Sequence, residues 1–360
     1  MATHGPASNA IGVGLIGAGF IADFHLAGLK AAGGGAPRRI AARATPASRV
    51  RAAALAQRHA IPEVDTDWRR MLEDRDVDAV IIVTPDHTHE EIAVAAAAAG
   101  KSILLQKPMA GSVDACRRIL DAAARAGVDL QVSFMHRHFE EVDATRAALE
   151  AGRIGTIHTA RLRNATPGPG WGDWFFDAAN VGSGVVDQLG VHGIDLALQL
   201  LGPVRDVSAR METRQPRRRL DDGRLVEVGV PDNALATYGH VAGALLTHEM
   251  SMTEQGGCDR FRLELYGEHG TIWLRSELGR LAIREPRRHG DRWVLPTLEE
   301  APAGARLHAR WLAGLVGRAP RENTAQDAIR GMQVVEAIRT SASRDSGRVL
   351  VAPDEKGRLA

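Results

Sequence analysis

The sequence predicts an α/β chain in two parts. Residues 1–134 form a doubly wound parallel sheet, and residues 135–360 an open, predominantly antiparallel sheet with helices on one face. Three observations carry this expectation. A glycine turn, Gly17-Ala18-Gly19-Phe20-Ile21-Ala22, follows an apolar run and opens a helical pattern. Strand and helix patterns alternate up to about residue 134, and beyond it extended runs follow one another with few helices between them. Alternation implies a parallel sheet covered on both faces, whereas successive strands imply antiparallel pairing. A chain of 360 residues exceeds the roughly 150 that one domain usually takes, so two cores are expected.

In order, the strands expected in the first part are Ile11 to Ile16, Arg39 to Ala42, Ala79 to Val83, Ser102 to Leu105 and Leu130 to Phe134. Helices fall between them at Ala47 to His59, Trp68 to Leu72, Glu90 to Ala99 and Val113 to Ala126. A further helix near Val142 to Gly152 precedes the extended runs Ile157 to Asn164, Val204 to Glu212, Ala234 to Val241, Ala244 to Ser251, Arg260 to Gly267 and Thr271 to Arg275. One helix, Gln188 to Leu201, interrupts them, and Arg306 to Val316 and Ala325 to Ser341 close the chain. The arginine-rich stretch Arg214 to Val230 reads as a solvated hairpin tip rather than a binding patch.

Composition narrows the function classes. The 45 basic and 44 acidic side chains nearly cancel, so no global field recruits nucleic acid or a membrane. Two cysteines, Cys116 and Cys258, lie far apart and suggest neither a disulfide framework nor a cysteine metal site. The start Met-Ala-Thr-His-Gly-Pro shows no charged region leading into an apolar core, so no signal peptide and a cytoplasmic location are expected. No charge-free apolar run reaches the roughly 18 residues a transmembrane helix takes.

The glycine turn has the strand-turn-helix context that a dinucleotide fingerprint requires. Gly17 permits the tight turn, Gly19 lets the backbone approach a pyrophosphate, and Ala22 is the small residue where helix meets strand. The helix N-terminus then receives the anion. Acidic residues at the end of the second strand bind the ribose 2′-hydroxyl of NAD, while arginine there accommodates the 2′-phosphate of NADP. Here the strand runs into Arg43, followed by Thr45, Ser48 and Arg49, and no acid lies between Asp23 and Glu63. NADP is therefore expected in preference to NAD, because a guanidinium pairs with phosphate through two parallel hydrogen bonds.

Four segments in this order resemble the Gfo/Idh/MocA oxidoreductases, the family of glucose-fructose oxidoreductase and inositol dehydrogenase. They are the glycine turn, Thr84-Pro85-Asp86-His87-Thr88-His89, the run Gly100 to Pro108, and the run Gly182 to Asp195 that contains His192. The resemblance spans nearly the whole chain. It implies a Rossmann domain, an open-faced sheet used in assembly as a homodimer or homotetramer, and hydride exchange between a nicotinamide nucleotide and a sugar or polyol carbon. It also implies cofactor contacts at Gly17, Gly19, Phe20, Ile21, Thr84, Pro85, His87, His89, Gln106 and Lys107, and no metal.

The chain departs from the family pattern at two further places. Gln106-Lys107-Pro108 stands where Glu-Lys-Pro is common, so the carboxylate beside the lysine is absent. Pro108 fixes the turn, and such motifs often carry a cis or sharply bent bond there, the isomer being left open by the sequence. Counting back from His192, Gln188 occupies a position usually held by Asp or Asn, with Asp187 one residue earlier. Asp187 either caps the helix starting at Gln188 or takes part in catalysis.

Oxidising a secondary alcohol requires the hydroxyl proton to leave as the hydride does. An imidazole titrates near neutral pH, so His192 suits the general base, and such assistance is typically worth on the order of 10² to 10⁴ in rate. A protonated Lys107 would donate to the same oxygen and stabilise its developing charge. Asp195 lies three residues on, on the same helical face, where it either orients the imidazole or begins an exposed stripe. The pair His87 and His89 suggests zinc only weakly, since no third ligand is evident. For the substrate, Trp171 and Trp174 stand out beside Phe175 and Phe176 in a chain that is only 4% aromatic, either to stack on a ring or to pack an interface. Arg161 and Arg163 share one face of a strand, toward an anionic group, solvent or a second subunit. Two other functions remain open: a nicotinamide-dependent glycosidase acting by transient oxidation and elimination, and a non-catalytic sensor of NAD(P).

Overall fold

The computed structural model describes residues 10–42, 45–256 and 261–352. In chain order the strands are β1 (Ile11–Ile16), β2 (Gly35–Ala41), β3 (Glu63–Asp65), β4 (Ala79–Ile82), β5 (Ser102–Gln106), β6 (Leu130–Ser133), β7 (Ile157–Ala165), β8 (Val204–Glu212), β9 (Arg217–Arg219), β10 (Leu225–Glu227), β11 (Asn233–His240), β12 (Leu245–Ser251), β13 (Arg262–Gly267), β14 (Thr271–Ser276), β15 (Gly279–Arg284), β16 (Trp293–Val294) and β17 (Val349–Leu350). The α-helices are α1 (Ala22–Ala32), α2 (Pro46–His59), α3 (Trp68–Glu73), α4 (His89–Ala98), α5 (Val113–Ala126), α6 (Glu140–Glu150), α7 (Val191–Leu201), α8 (Pro286–His289), α9 (Ala305–Leu315) and α10 (Thr324–Ser343).

Two compact units result. The first takes residues up to 109, 114–135 and 301–325, and the second takes 110–113, 136–300 and 326 onward. A single cut after residue 134 is thus crossed by the segment carrying α9, which belongs with the first unit.

In the first unit six parallel strands run in the order β3-β2-β1-β4-β5-β6, the order of dinucleotide-binding sheets. Its central strands read as near-continuous apolar runs because both faces are covered. Leu15, Ile40, Ala79, Ile81 and Leu104 are buried there with Leu26 and Leu29 of α1 and Trp311 of α9. The strand order reverses between the neighbouring β1 and β4, which opens a crevice at the carboxyl ends of those strands.

In the second unit nine strands run in the order β16-β15-β14-β13-β7-β12-β11-β8-β17. Every pairing is antiparallel except β7 with β12. Alternate residues of β11 and β12 are buried and exposed, the signature of a sheet with one face on a core and one face open. The stretch from Arg214 to Val230 is a hairpin, β9 with β10, whose tip is exposed as expected, and the solvated reading is corrected at Arg218 alone. Arg218 is buried, lies over the Phe176 ring, and donates to the Pro167 carbonyl at 2.6 Å and to the Met252 carbonyl. Backbone acceptors satisfy the guanidinium, so the apolar cluster Phe176, Leu220, Val228 and Val230 closes around it.

Candidate active site

The nucleotide crevice is built from three turns that leave the carboxyl ends of β1, β4 and β5. Gly17 has φ +114°, and a Cβ there would meet the Val83 carbonyl oxygen at 2.8 Å. No side chain fits, which is why the turn after β1 holds glycine. Gly19 differs, since a Cβ at that position would meet nothing within 4 Å. Packing within the protein does not demand glycine there, so the open space fits an anion approaching the backbone. No side chain caps α1, in contrast to α2 and α3, which are capped by Thr45 and Asp67. The first-turn amides of α1 therefore suit a pyrophosphate. Phe20 is 61% exposed beside the turn, and Ile21 is the residue at the helix start.

The turn after β4 holds Thr84 and Pro85, both partly buried, and the exposed His87. His89 is fully buried. Its Nδ1 lies 3.0 Å from the Pro108 carbonyl and its Nε2 2.9 Å from the Thr84 carbonyl. A ring with no exposed surface and both nitrogens on backbone carbonyls neither touches a cofactor nor ligates metal. The expectation for His89 is thus corrected to a brace between the β4 and β5 turns, its pKa lowered by burial. The brace holds the Lys107–Pro108 turn, whose peptide bond is cis. Gln106 Oε1 accepts the Lys107 amide N–H at 2.8 Å, and Gln106 Nε2 lies 3.4 Å from His25 Nε2. Arg43 lies outside the described residues. Next to it, Thr45 Oγ1 accepts from Ser48 N–H at 3.3 Å and donates to Ser48 Oγ at 2.9 Å.

In the second unit His192 sits in the first turn of α7, buried at 7% exposure. The helix expected from Gln188 begins instead as a single π-turn, Val186–Gly190, that continues as α7. Such turns are rare and frequent at functional sites. Asp187 lies inside that turn, and its Oδ2 accepts the Ser183 N–H, upstream, at 2.6 Å. Its capping of a helix starting at Gln188 is therefore corrected: it fixes the preceding loop. Gln188 is partly buried beside it.

Asp195 does not begin an exposed stripe. It is 2% exposed and accepts from Arg137 Nε at 2.8 and 3.0 Å and from Arg137 Nη2. Arg137 Nη1 donates to Asp327 at 2.9 Å, and these carboxylates hold the guanidinium firmly charged. The ring packed on His192 is His136, stacked at 4.1 Å between centroids and 18° between planes. His136 in turn packs on Phe139 and Phe261 at 5.1 and 4.9 Å, and Arg275 lies over both phenyl rings while bonding Glu141. Beneath α7, Tyr238 O–H, His248 and Asn164 form a buried chain with links of 2.8 Å. A Cβ at Gly193 would come within 2.7 Å of His248 Nε2, so glycine beside His192 lets α7 settle on that chain. Sequence reading missed His136. The available signal was three ionisable residues, His136-Arg137-His138, directly after the last parallel strand.

Trp174 stacks on Phe175 at 3.8 Å and Trp171 meets the same ring edge-on at 5.7 Å. Phe176 is buried against the β9–β10 hairpin. Arg161 and Arg163 lie on the open face of the large sheet, paired with Glu264 at 3.3 Å and with Glu249 and Glu254. Among the described residues, no three His, Cys, Asp or Glu side chains gather to hold a metal ion, and no helix is long and apolar enough to cross a membrane.

Comparison with known proteins agrees with this architecture. The sequence model described as oxidoreductase family, NAD-binding Rossmann fold, matches residues 11–134, and the GFO/IDH/MocA C-terminal domain matches residues 142–273. Levoglucosan dehydrogenase of Pseudarthrobacter phenanthrenivorans is 30% identical over 291 residues, 74% of each chain. Inositol 2-dehydrogenase 2 of Saccharopolyspora erythraea is 35% identical over 266 residues, 73% of this chain and 72% of its own. A solved structure of levoglucosan dehydrogenase in complex with NADH and L-sorbose superposes with a TM-score of 0.85 at 26% identity, covering 96% of this chain and 99% of that one.

Proposed function

Because the chain belongs to the Gfo/Idh/MocA oxidoreductases, with an NAD-binding Rossmann domain, we propose that it exchanges a hydride between a nicotinamide nucleotide and a secondary hydroxyl or keto carbon of a sugar, cyclitol or related polyol. The observation that carries the reading is the Gln106-Lys107-Pro108 turn at the end of β5, braced by His89 to the β4 turn in the sheet that bears the Gly17–Gly19 turn. The relatives are dehydrogenases of this substrate class, which does not favour the glycosidase or sensor alternatives.

The nucleotide supplies the hydride acceptor. Gly17 makes the tight turn and Gly19 leaves room for its pyrophosphate at the uncapped start of α1, beside Phe20, Ile21, Thr84 and Pro85. The Lys107 ammonium donates a hydrogen bond to the substrate oxygen and stabilises negative charge developing there. His192 Nε2 or Nδ1 takes the hydroxyl proton, and the His136 ring keeps its plane fixed. Asp187 and Gln188 stand in the same motif, Asp187 holding the loop before it and Gln188 offering an amide to a substrate hydroxyl. Trp171, 52% exposed, and Trp174 offer ring faces to a sugar.

NADP is the preferred cofactor in this reading. Support comes from the absence of an acid in the segment following β2 and from Arg43, Thr45, Ser48 and Arg49 there. Assembly as a homodimer or homotetramer belongs to the same proposal, with the open face that carries Arg161, Arg163 and the 61% exposed Leu235 covered by a second copy. So does a cytoplasmic location, where a freely exchanging nucleotide pool is available.

The test is net nucleotide reduction with NADP or NAD across a panel of sugars, cyclitols and glycosides, using the wild type, Lys107→Met and His192→Ala. Reduction that needs both side chains and prefers NADP supports the proposal. Glycoside hydrolysis without net reduction, or activity indifferent to both substitutions, overturns it.

A further inference from the structure

The first unit contains a buried histidine pair that none of the chemistry above uses. His25 of α1 and His308 of α9 are both fully buried, their rings edge-on with centroids 5.2 Å apart. His25 Nδ1 lies 3.1 Å from His308 Nε2. At one end His308 Nδ1 is 2.7 Å from the Gly304 carbonyl oxygen. At the other, His25 Nε2 faces Gln106 Nε2 at 3.4 Å, and Gln106 Oε1 accepts the Lys107 amide at 2.8 Å.

The ends of this chain fix every proton in it. A carbonyl only accepts, so His308 Nδ1 carries hydrogen and a neutral His308 presents a lone pair at Nε2. His25 Nδ1–H must donate into that lone pair, which leaves His25 Nε2 as an acceptor. The Gln106 amide group donates to it, and the amide oxygen receives the Lys107 N–H. No link is left over or doubled. Burial keeps both rings neutral, and neither has a carboxylate partner among the described residues.

We propose that His25 and His308 are positioning residues for Lys107, acting through Gln106 along a one-way chain of hydrogen bonds that ends on the Gly304 carbonyl. The inference rests on the reading of Lys107 as the group that binds the substrate oxygen. It accounts for the amide at position 106. A carboxylate there would turn lone pairs toward His25 Nε2 and reverse the chain, and His308 would then need a second proton to keep its bond to Gly304. Gln106, the two tautomers and Gly304 form one matched set. Gly28 belongs to it, since a Cβ there would meet His308 Nδ1 at 2.5 Å. Because α1 starts at the glycine turn, the chain also ties the pyrophosphate-binding turn to the turn bearing Lys107.

Two readouts test this on the full-length protein. Long-range proton–nitrogen NMR of histidine-labelled protein at neutral pH reads the tautomers directly, and lysine labelling reads the Lys107 amide. Both rings are expected as the neutral Nδ1–H form, with the Lys107 amide resonance moving in His308→Phe. An Nε2–H tautomer or a charged ring in either position overturns the proposal, as does a Lys107 amide that stays put. In the polyol assay, His308→Phe is expected to lower kcat up to about 100-fold, the scale of a small misplacement, with the nucleotide KM little changed. His308→Gln, which keeps an acceptor for His25, is expected to recover part of the loss. A folded His308→Phe with wild-type kcat also overturns it. The tautomers and the amide shift are read without substrate, so they decide the chain of bonds even where the polyol reading fails.

Discussion

Replacing Arg137 by methionine tests how the second unit holds His192 in place. Arg137 and Asp195 have side-chain exposures of 7% and 2%, and Asp327 adds a second carboxylate at 15%. Taking such ions out of water costs several kcal/mol each, and only their mutual bonds offset it. Methionine keeps the apolar stem but leaves Asp195 buried without its guanidinium. The expected loss is about 3 to 5 kcal/mol, the scale for breaking one side of a buried pair. Asp195 sits one turn beyond His192 on α7, so the strain falls on the helix that carries the proposed base, and kcat is expected to drop with stability. Urea unfolding of the wild type, Arg137→Met, Asp195→Leu and the double variant gives the coupling energy. The double variant should be more stable than Arg137→Met, because the unpaired charge of Asp195 is gone while Asp327 keeps Arg330 at 3.3 Å. An Arg137→Met loss below about 1 kcal/mol, within the range of an exposed ion pair, or a double variant as unstable as the sum of the singles, would refute the reasoning.

The two fingerprint glycines are expected to part company. Gly17→Ala costs stability, since its Cβ meets the Val83 carbonyl at a positive φ, whereas Gly19→Ala leaves the unfolding midpoint alone and weakens nucleotide binding in a calorimetric titration. Stability is also expected to fall on acidification. Burial lowers His308 from 6.5 to about 4 and His248 from 6.5 to about 3, so these rings stay neutral in the folded chain while the unfolded chain takes up protons below about pH 6.5. Their contribution is complete above that pH and is lost as pH falls toward about 4 and then 3, His308 alone accounting for about 3 kcal/mol. Urea midpoints that do not change between about pH 7.5 and pH 5 would contradict it. Leu235→Glu, placed on the open sheet face, is expected to shift the mass measured by light scattering toward the monomer without changing the fold seen by circular dichroism.

The sequence made the first unit legible because its strands are continuous apolar runs and its helices carry regular spacing. Helix α5 was read to the residue. The strand β3 escaped because Glu63–Asp65 is short and mostly acidic at the sheet edge, where pairing with β2 rather than burial makes it a strand. The start of β2 was hidden behind Gly33, Gly34 and Gly35, and β15 to β17 are too short or too polar to show a period. At the candidate site, the sequence named the motif residues but not what surrounds them. Arg218 read as solvent-facing because charge predicts exposure, yet it is buried on backbone carbonyls supplied by distant segments. His89 read as a ligand contact because sequence shows which loop a ring joins, not which carbonyls close over it.

The most direct measurement of the central claim is a single turnover of bound nucleotide with a cyclitol deuterated at the carbon to be oxidised, followed in the wild type, Lys107→Met and His192→Ala. The account predicts deuterium in the reduced nicotinamide, with transfer slowed on the order of 10² to 10⁴ by loss of the His192 base and slowed as well by loss of Lys107. Deuterium that never reaches the nucleotide, or reaches it equally fast in all three proteins, would contradict it.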